Sequence, residues 1–177
     1  VLATASQDPG IQEQLYVEAF RRLGAGTARS LRLDTRAQAN DPAVAAALTG
    51  ATGVFFTGGD QQRITTVIGG TRADSERQAL LQAGAIVLGG TSAGAAMMSA
   101  TMIVGGDMAG VAATSVRTGP GMEFLPGVLI DMHFAERGRL DQHADVEGPE
   151  LGEPRARRIE AHLVHELLEL QRVGREE

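Results

Sequence analysis

The stretch "AIVLGGTSAGAAMMS", residues 85–99, constrains the fold more than any other part of the chain. A short apolar run meets two glycines, then a serine between small residues, then a segment of alanines and methionines. A buried strand, a tight turn and a closely packed helix in direct succession is the unit of a parallel sheet covered by helices. At its centre, Gly90-Thr91-Ser92-Ala93-Gly94 fits the G-x-S-x-G pattern. There a sharp strand-to-helix turn holds the serine in strained backbone with its hydroxyl exposed, and only small neighbours allow so tight a turn. The helix after it points free N–H groups at the turn, so the Ala93 N–H is a candidate oxyanion donor. The same residues also read as a glycine turn capped by a serine, or as a phosphate-binding turn of a nucleotide domain.

The rest of the chain repeats the alternation. "VLATA" predicts a short strand leading to Pro9. Residues 10–23 predict a helix with Ile11, Leu15, Ala19 and Leu23 along one face, closed by Gly24. "ARSLRL" is a second strand candidate. "DPAVAAAL" predicts a helix with Asp41 as its cap and Pro42 at its first position. "GVFFTGG" is an apolar strand ending in a glycine turn, residues 60–69 and 73–83 are helices, and "VLID" at 128–131 is a further strand. Short apolar strands alternating with helices imply an α/β three-layer sandwich with a mostly parallel sheet. After residue 141 the texture becomes polar and turn-rich. From Pro154, the stripe Ile159, Leu163, Leu167 and Leu170 predicts a C-terminal amphipathic helix that docks on the domain or on a partner. The expected division is an α/β domain over 1–141 and a loop and helix over 142–177.

Composition narrows the chemistry. All sixteen basic residues are Arg, so lysine cannot act as a base, a Schiff-base amine or a P-loop cation. Cysteine is absent, which excludes thiol nucleophiles, disulfides and thiolate metal sites. The formal charge of −6 argues against a nucleic-acid or anionic-membrane surface. No apolar run approaches the roughly 20 residues of a membrane-spanning helix. The first residues lack the features of a secretory signal and read like the end of a strand, as if an upstream piece had been lost.

A second glycine turn, "FTGGDQ" at 56–61, ends the strand before the serine strand. In an open parallel sheet, turns at the carboxyl ends of neighbouring strands share one crevice. Gly58, Gly59, Asp60 and Gln61 are therefore expected to face Ser92, with a backbone N–H near Gly59 as second oxyanion donor; Asp60 also reads as a plain helix cap. A serine nucleophile needs a base. Of His133, His143, His162 and His165, only His133 follows a predicted strand on the same sheet edge. His162 and His165 form an H-x-x-H pair with no carboxylate cluster to complete a metal site, and read as surface residues.

Taken together, "YVEAFRRLG", "GVFFTGGDQQRI", "GGTSAGAAMMS", "MIVGGDM" and "LIDMHFAERGRL" resemble the cyanophycinase family. That family belongs with the dipeptidase E-like serine peptidases, on a flavodoxin-like scaffold related to class I glutamine amidotransferases. The resemblance covers about residues 1 to 140. It implies hydrolysis of cyanophycin, a poly-aspartate backbone carrying arginine on its side chains, to β-aspartyl-arginine dipeptides. It further implies Ser92 as nucleophile, His133 as base, and Gln61, Asp131, Arg137 and Arg139 as substrate-binding residues. Guanidinium groups suit the carboxylates of such a polymer.

The triad acid stays open between two candidates. Glu160 stands at the spacing of the cyanophycinase glutamate, and Asp107 resembles the aspartate of dipeptidase E-like relatives. The family usually has Gln where this chain has Met132, and a third Arg where Gln142 stands. Its opening strand and glycine-rich loop precede the position equivalent to Val1. The resemblance suggests a homodimer; no cofactor or metal is expected, and the expected location is the cytoplasm. Two other readings stand beside the polymer hydrolase: an aspartyl dipeptidase using the same residues, and a catalytically inactive binding domain on the same scaffold.

Overall fold

The computed structural model describes residues 1–106, 116–132 and 157–158. Helix α1 (Pro9–Arg22) starts where Pro9 sets the first turn, and chain reversal follows at Gly24, whose φ is 92°. Helix α2 (Arg36–Ala39) is closed at its start by a capping box between Thr35 and Gln38. Helix α3 (Pro42–Thr49) begins as its sequence predicts: the Asp41 carboxylate accepts from the Ala43 N–H at 2.8 Å. Strand β1 (Gly53–Phe56) leads into α4 (Gln61–Ile68), capped by Asp60, then α5 (Arg72–Gln82) and strand β2 (Val87–Gly90).

Strands β1 and β2 run parallel, with Gly53 opposite Val87 and Phe56 opposite Gly90. The opening residues add to β1 on its other side. The Leu2 N–H donates to the Phe55 carbonyl at 2.8 Å, and the Thr57 N–H donates to Leu2 at 3.0 Å. "ARSLRL" forms no regular strand, although the Leu31 N–H reaches the Val1 carbonyl at 2.9 Å. The chain is thus a mixed α/β protein built on parallel pairing.

Successive strand residues point to opposite faces, and helices meet both. The Phe55 ring lies 4.9 Å from Tyr16 and 5.2 Å from Phe20 of α1. Phe56 faces the other way, 5.1 Å from the guanidinium of Arg77 in α5. The stripe of α1 turned to the sheet is therefore that of Tyr16 and Phe20. Ile11 and Leu23, on the apolar face expected from sequence, are 67% and 65% exposed. Two aromatic rings bury more apolar surface than the aliphatic stripe, so they set the helix rotation.

Beyond α6 (Ala93–Ala96), strands β3 (Thr101–Gly106) and β4 (Val116–Pro120) pair antiparallel, an element that the sequence pattern does not predict. The "VLID" segment contributes β5 (Val128–Leu129), which pairs in parallel with β6 (Arg157–Arg158). These two arginines are extended rather than the start of a helix from Pro154; Ile159, Leu163, Leu167 and Leu170 lie outside the described residues. No helix among the described residues is long and apolar enough to cross a membrane.

Candidate active site

Ser92 stands directly after β2 and directly before α6, with φ 50° and ψ −118°. Among the described residues only Glu123 shares a positive φ without being glycine. A side chain in this region strains the backbone by about 1–3 kcal/mol and persists only where the surroundings dictate it. Here they do. The Thr91 N–H donates to the Phe56 carbonyl at 3.1 Å, continuing the β1–β2 ladder up to the turn. The Ala95 and Ala96 N–H groups both donate to the Ser92 carbonyl, at 2.9 and 3.0 Å, which starts the helix at once.

The glycines of the motif are there for space. A Cβ on Gly94 would overlap the Phe56 carbonyl, and one on Gly90 would overlap the Gly94 carbonyl. Ala93 and Ala96 are fully buried. The turn is therefore pressed onto the end of β1, which explains the run of small residues that marks it in sequence.

The second glycine turn lies alongside, as expected. A Cβ on Gly58 would sit 3.2 Å from the Ser92 Cβ and 3.8 Å from its Oγ. Gly59 has φ 139°, and a Cβ there would overlap the Ala5 carbonyl. The loop that follows the opening residues, at Ala5 and Ser6, thus forms the back of this turn. It is held by the Asp60 N–H on the Ala5 carbonyl at 2.9 Å and by Arg63 Nη1 on the Ser6 carbonyl at 2.7 Å. Sequence reasoning misses this support, because backbone carbonyls of distant segments leave no residue-level signature. Among the described residues, the N–H groups of Gly58, Gly59 and Ala93 donate no hydrogen bond.

Gln61 is nine-tenths buried, and its Nε2 donates to the Ile103 carbonyl of β3 at 2.6 Å. Asp131 is equally buried, just past β5. Its segment is anchored where the Ile130 N–H donates to the Ser99 Oγ at 3.1 Å. Tyr16 of α1 approaches from the other face of the sheet. Burial pushes its hydroxyl above the ordinary tyrosine range, and a hydrogen bond with the Thr91 side chain opposes that shift. His133, Arg137, Arg139, Asp107 and Glu160 lie outside the described residues, as do Gln142, His143, His162 and His165. A cavity of about 320 Å³ between the end of α4, the start of α5 and Pro120–Glu123 holds none of the candidate residues. Among the described residues no cluster of His, Asp and Glu could hold a metal ion.

Three features set the chemistry open to this arrangement: a serine in strained backbone, two glycine turns whose N–H groups donate no hydrogen bond among the described residues, and a closely fitted floor. Comparison with known proteins agrees in kind. The profile of peptidase family S51 matches residues 2–163. Cyanophycinases from Trichormus variabilis and Synechococcus elongatus are 35% and 36% identical over 141 residues, 79% of this chain. The chain spans about half the length of these curated relatives, 47% and 44%. The solved structure of a peptidase from an acI-B1 Actinobacterium superposes with a TM-score of 0.61 at 22% identity. It covers 78% of this chain and 55% of the other, and supports the fold.

Proposed function

The chain belongs to peptidase family S51, and on that premise we propose that it is a serine-type exopeptidase that hydrolyses cyanophycin to β-aspartyl-arginine dipeptides. The observation that carries this reading is the backbone of Ser92, φ 50° and ψ −118°, set against Gly58. Strain of this kind in a strand-to-helix turn has a use when the hydroxyl must stand clear of the backbone for attack.

In this mechanism His133 takes the Ser92 hydroxyl proton as Oγ attacks the carbonyl between successive backbone aspartyl units. The tetrahedral oxyanion is held by the N–H groups of Gly59 and Ala93. Collapse breaks the C–N bond, and His133 returns the proton to the leaving amine. Water then enters by the same route, loses a proton to His133 and releases the acyl group, restoring Ser92. The acid, Asp107 or Glu160, holds the imidazole tautomer and stabilises imidazolium. Gln61, Asp131, Arg137 and Arg139 grip the polymer, with the two arginines on its carboxylates.

The same reading takes the sheet as the centre of a flavodoxin-like three-layer sandwich. Support comes from Phe55 and Phe56, which meet helices on opposite faces. It places the protein in the cytoplasm as a homodimer. Met132, standing where the family has Gln, favours a second reading as an aspartyl dipeptidase with the same nucleophile.

The test is mass spectrometry of soluble products after incubation with cyanophycin, beside a Ser92→Ala control. Release of β-aspartyl-arginine by the parent alone is the expected result. No polymer product, with short aspartyl dipeptides cleaved, would move the assignment to the dipeptidase. A parent that also fails to react with a serine-directed phosphonate at Ser92 would leave the inactive binding domain.

A further inference from the structure

The short helix that follows Ser92 is gripped by main chain at both ends. At the start of α6, the Phe56 carbonyl accepts from the Thr91 N–H, and a Cβ on Gly94 would overlap Phe56. At its end, the Met122 N–H donates to the Met97 carbonyl at 2.7 Å and the Leu125 N–H to the Met98 carbonyl at 2.8 Å. The two non-glycine residues with positive φ among the described residues mark these two supports: Ser92 at 50°, and Glu123 at 58° beside Phe124. One side chain touches both. The guanidinium of Arg77 lies 5.1 Å from the centre of the Phe56 ring and 5.5 Å from that of Phe124, and none of the side chain is exposed. Helix α5 adds a second tie there, Gln78 Nε2 donating to the Met122 carbonyl at 2.9 Å. Stability alone is a poor reason for an arginine at this place. Its Nε and Nη1 meet no partner among the described residues, and burying donors without partners is unfavourable. What an apolar side chain of the same volume lacks is the flat cation that rings on both sides attract.

We infer that Arg77 is a positioning residue for Ser92: it ties the two supports of α6 together and so holds the serine backbone in its strained conformation. For its kinetic consequence the inference rests on the hydrolase reading above, and it adds a residue that the reading does not contain. Strain persists only where the surroundings dictate it. The Asp74 contact holds the guanidinium on α5, at 3.3 Å. Cation–π attraction holds each ring to the guanidinium, and each ring belongs to the main chain that grips one end of α6. Without the cation the supports part, the turn relaxes toward ordinary backbone, and the hydroxyl leaves the position that attack requires. A misplacement of about 1 Å costs a reacting group on the order of a hundredfold in rate.

The test compares Arg77→Met with the parent on two quantities. The first is the melting-temperature advantage of Ser92→Gly over Ser92→Ala, which reads strain at the turn whether or not the chain turns over. It should shrink to less than about half in the Arg77→Met background, because residues that act through one another are not additive. The second is kcat on cyanophycin, or on an aspartyl dipeptide where only that is cleaved. It should fall about 10- to 100-fold, with KM changed less than about twofold. Leu48→Ala, at a buried residue of α3 that belongs to neither support, lowers the melting temperature and should leave both quantities unchanged. Phe124→Leu, which removes the ring of the second support, should repeat the Arg77→Met result and serves where that variant folds poorly. An advantage of equal size in both backgrounds, zero included, overturns the inference. So does unchanged kcat, a rise in KM at constant kcat, or a Leu48→Ala variant that loses as much kcat as Arg77→Met. A parent with neither turnover nor phosphonate labelling at Ser92 sinks the hydrolase reading, and the strain measurement then decides separately whether Arg77 holds the turn.

Discussion

Gly58 and Ser92 stand face to face at the carboxyl ends of β1 and β2, with 3.2 Å between the Ser92 Cβ and the point a Gly58 Cβ would occupy. That spacing is tight without being prohibitive, since Gly58 carries no positive φ. Gly58→Ala should therefore fold, with Ser92 displaced by a few tenths of an ångström. Turnover should fall about 10- to 100-fold, as small displacements of a nucleophile do, while the melting temperature moves by only a few degrees. Paired kinetics and thermal unfolding check this. A variant as active as the parent would mean that Ser92 tolerates movement.

Gly59 is a different case. Its φ of 139° is nearly closed to other residues, and an added Cβ would overlap the Ala5 carbonyl. Gly59→Ala combines backbone strain with a clash against main chain that the Asp60 N–H and Arg63 already hold in place. The expected loss is about 3 kcal/mol or more of folding stability, measured by urea unfolding. For a chain of this length that corresponds to roughly 6–12 °C in melting temperature.

Strain at Ser92 is itself measurable. Ser92→Ala removes the hydroxyl and leaves φ at 50°, so the strain remains. Ser92→Gly removes both, offset in part by the larger entropy of a glycine in the unfolded chain. Both variants should be inactive, and the glycine variant should be the more stable by about 1 kcal/mol. Equal stabilities would show that the turn relaxes without its side chain.

How much of this is legible in the sequence depends on whether the cause is local. Asp41 and Asp60 as caps, and Pro42 as the first helical residue, follow from chemistry within four positions. The two glycine turns stand out because crowding against backbone leaves only glycine. The face of α1 escapes the pattern because the partner Phe55 lies far along the chain, and its preference for Tyr16 and Phe20 outweighs the aliphatic periodicity. The β3–β4 hairpin is hidden by Gly105, Gly106 and Gly119, which break the alternation of a strand. Gln61 is visible as a site residue, but its bond to Ile103 spans 42 positions and cannot be read from either segment.

Arg77 gives no sequence signal at all, being one more charged residue in a polar helix. Its side chain is fully buried between the Phe56 and Phe124 rings, 5.1 and 5.5 Å from their centres. Nη2 contacts Asp74 at 3.3 Å, while Nε and Nη1 have no hydrogen-bond partner among the described residues. Burial pushes the guanidinium down to about 10, with the Asp74 carboxylate opposing, so at neutral pH it remains charged. Arg77→Ala loses the packing and the ion pair together and should cost about 3–5 kcal/mol. Arg77→Met keeps the volume and removes two orphaned donors, so its cost should stay below about 1.5 kcal/mol.

The pH dependence has a definite sign. Because burial holds the folded value at about 10, below that of an exposed guanidinium, the unfolded chain holds more protons as pH rises above about 10. This group's contribution to stability therefore rises with pH across that window and is flat at neutral pH. Arg77→Met lacks the contribution, so the parent should gain on the variant as pH climbs past 10, with the other titrating groups common to both. Urea midpoints of the two proteins at pH 7 and pH 10.5 measure it. A constant gap would mean that the buried guanidinium keeps its proton as firmly as an exposed one.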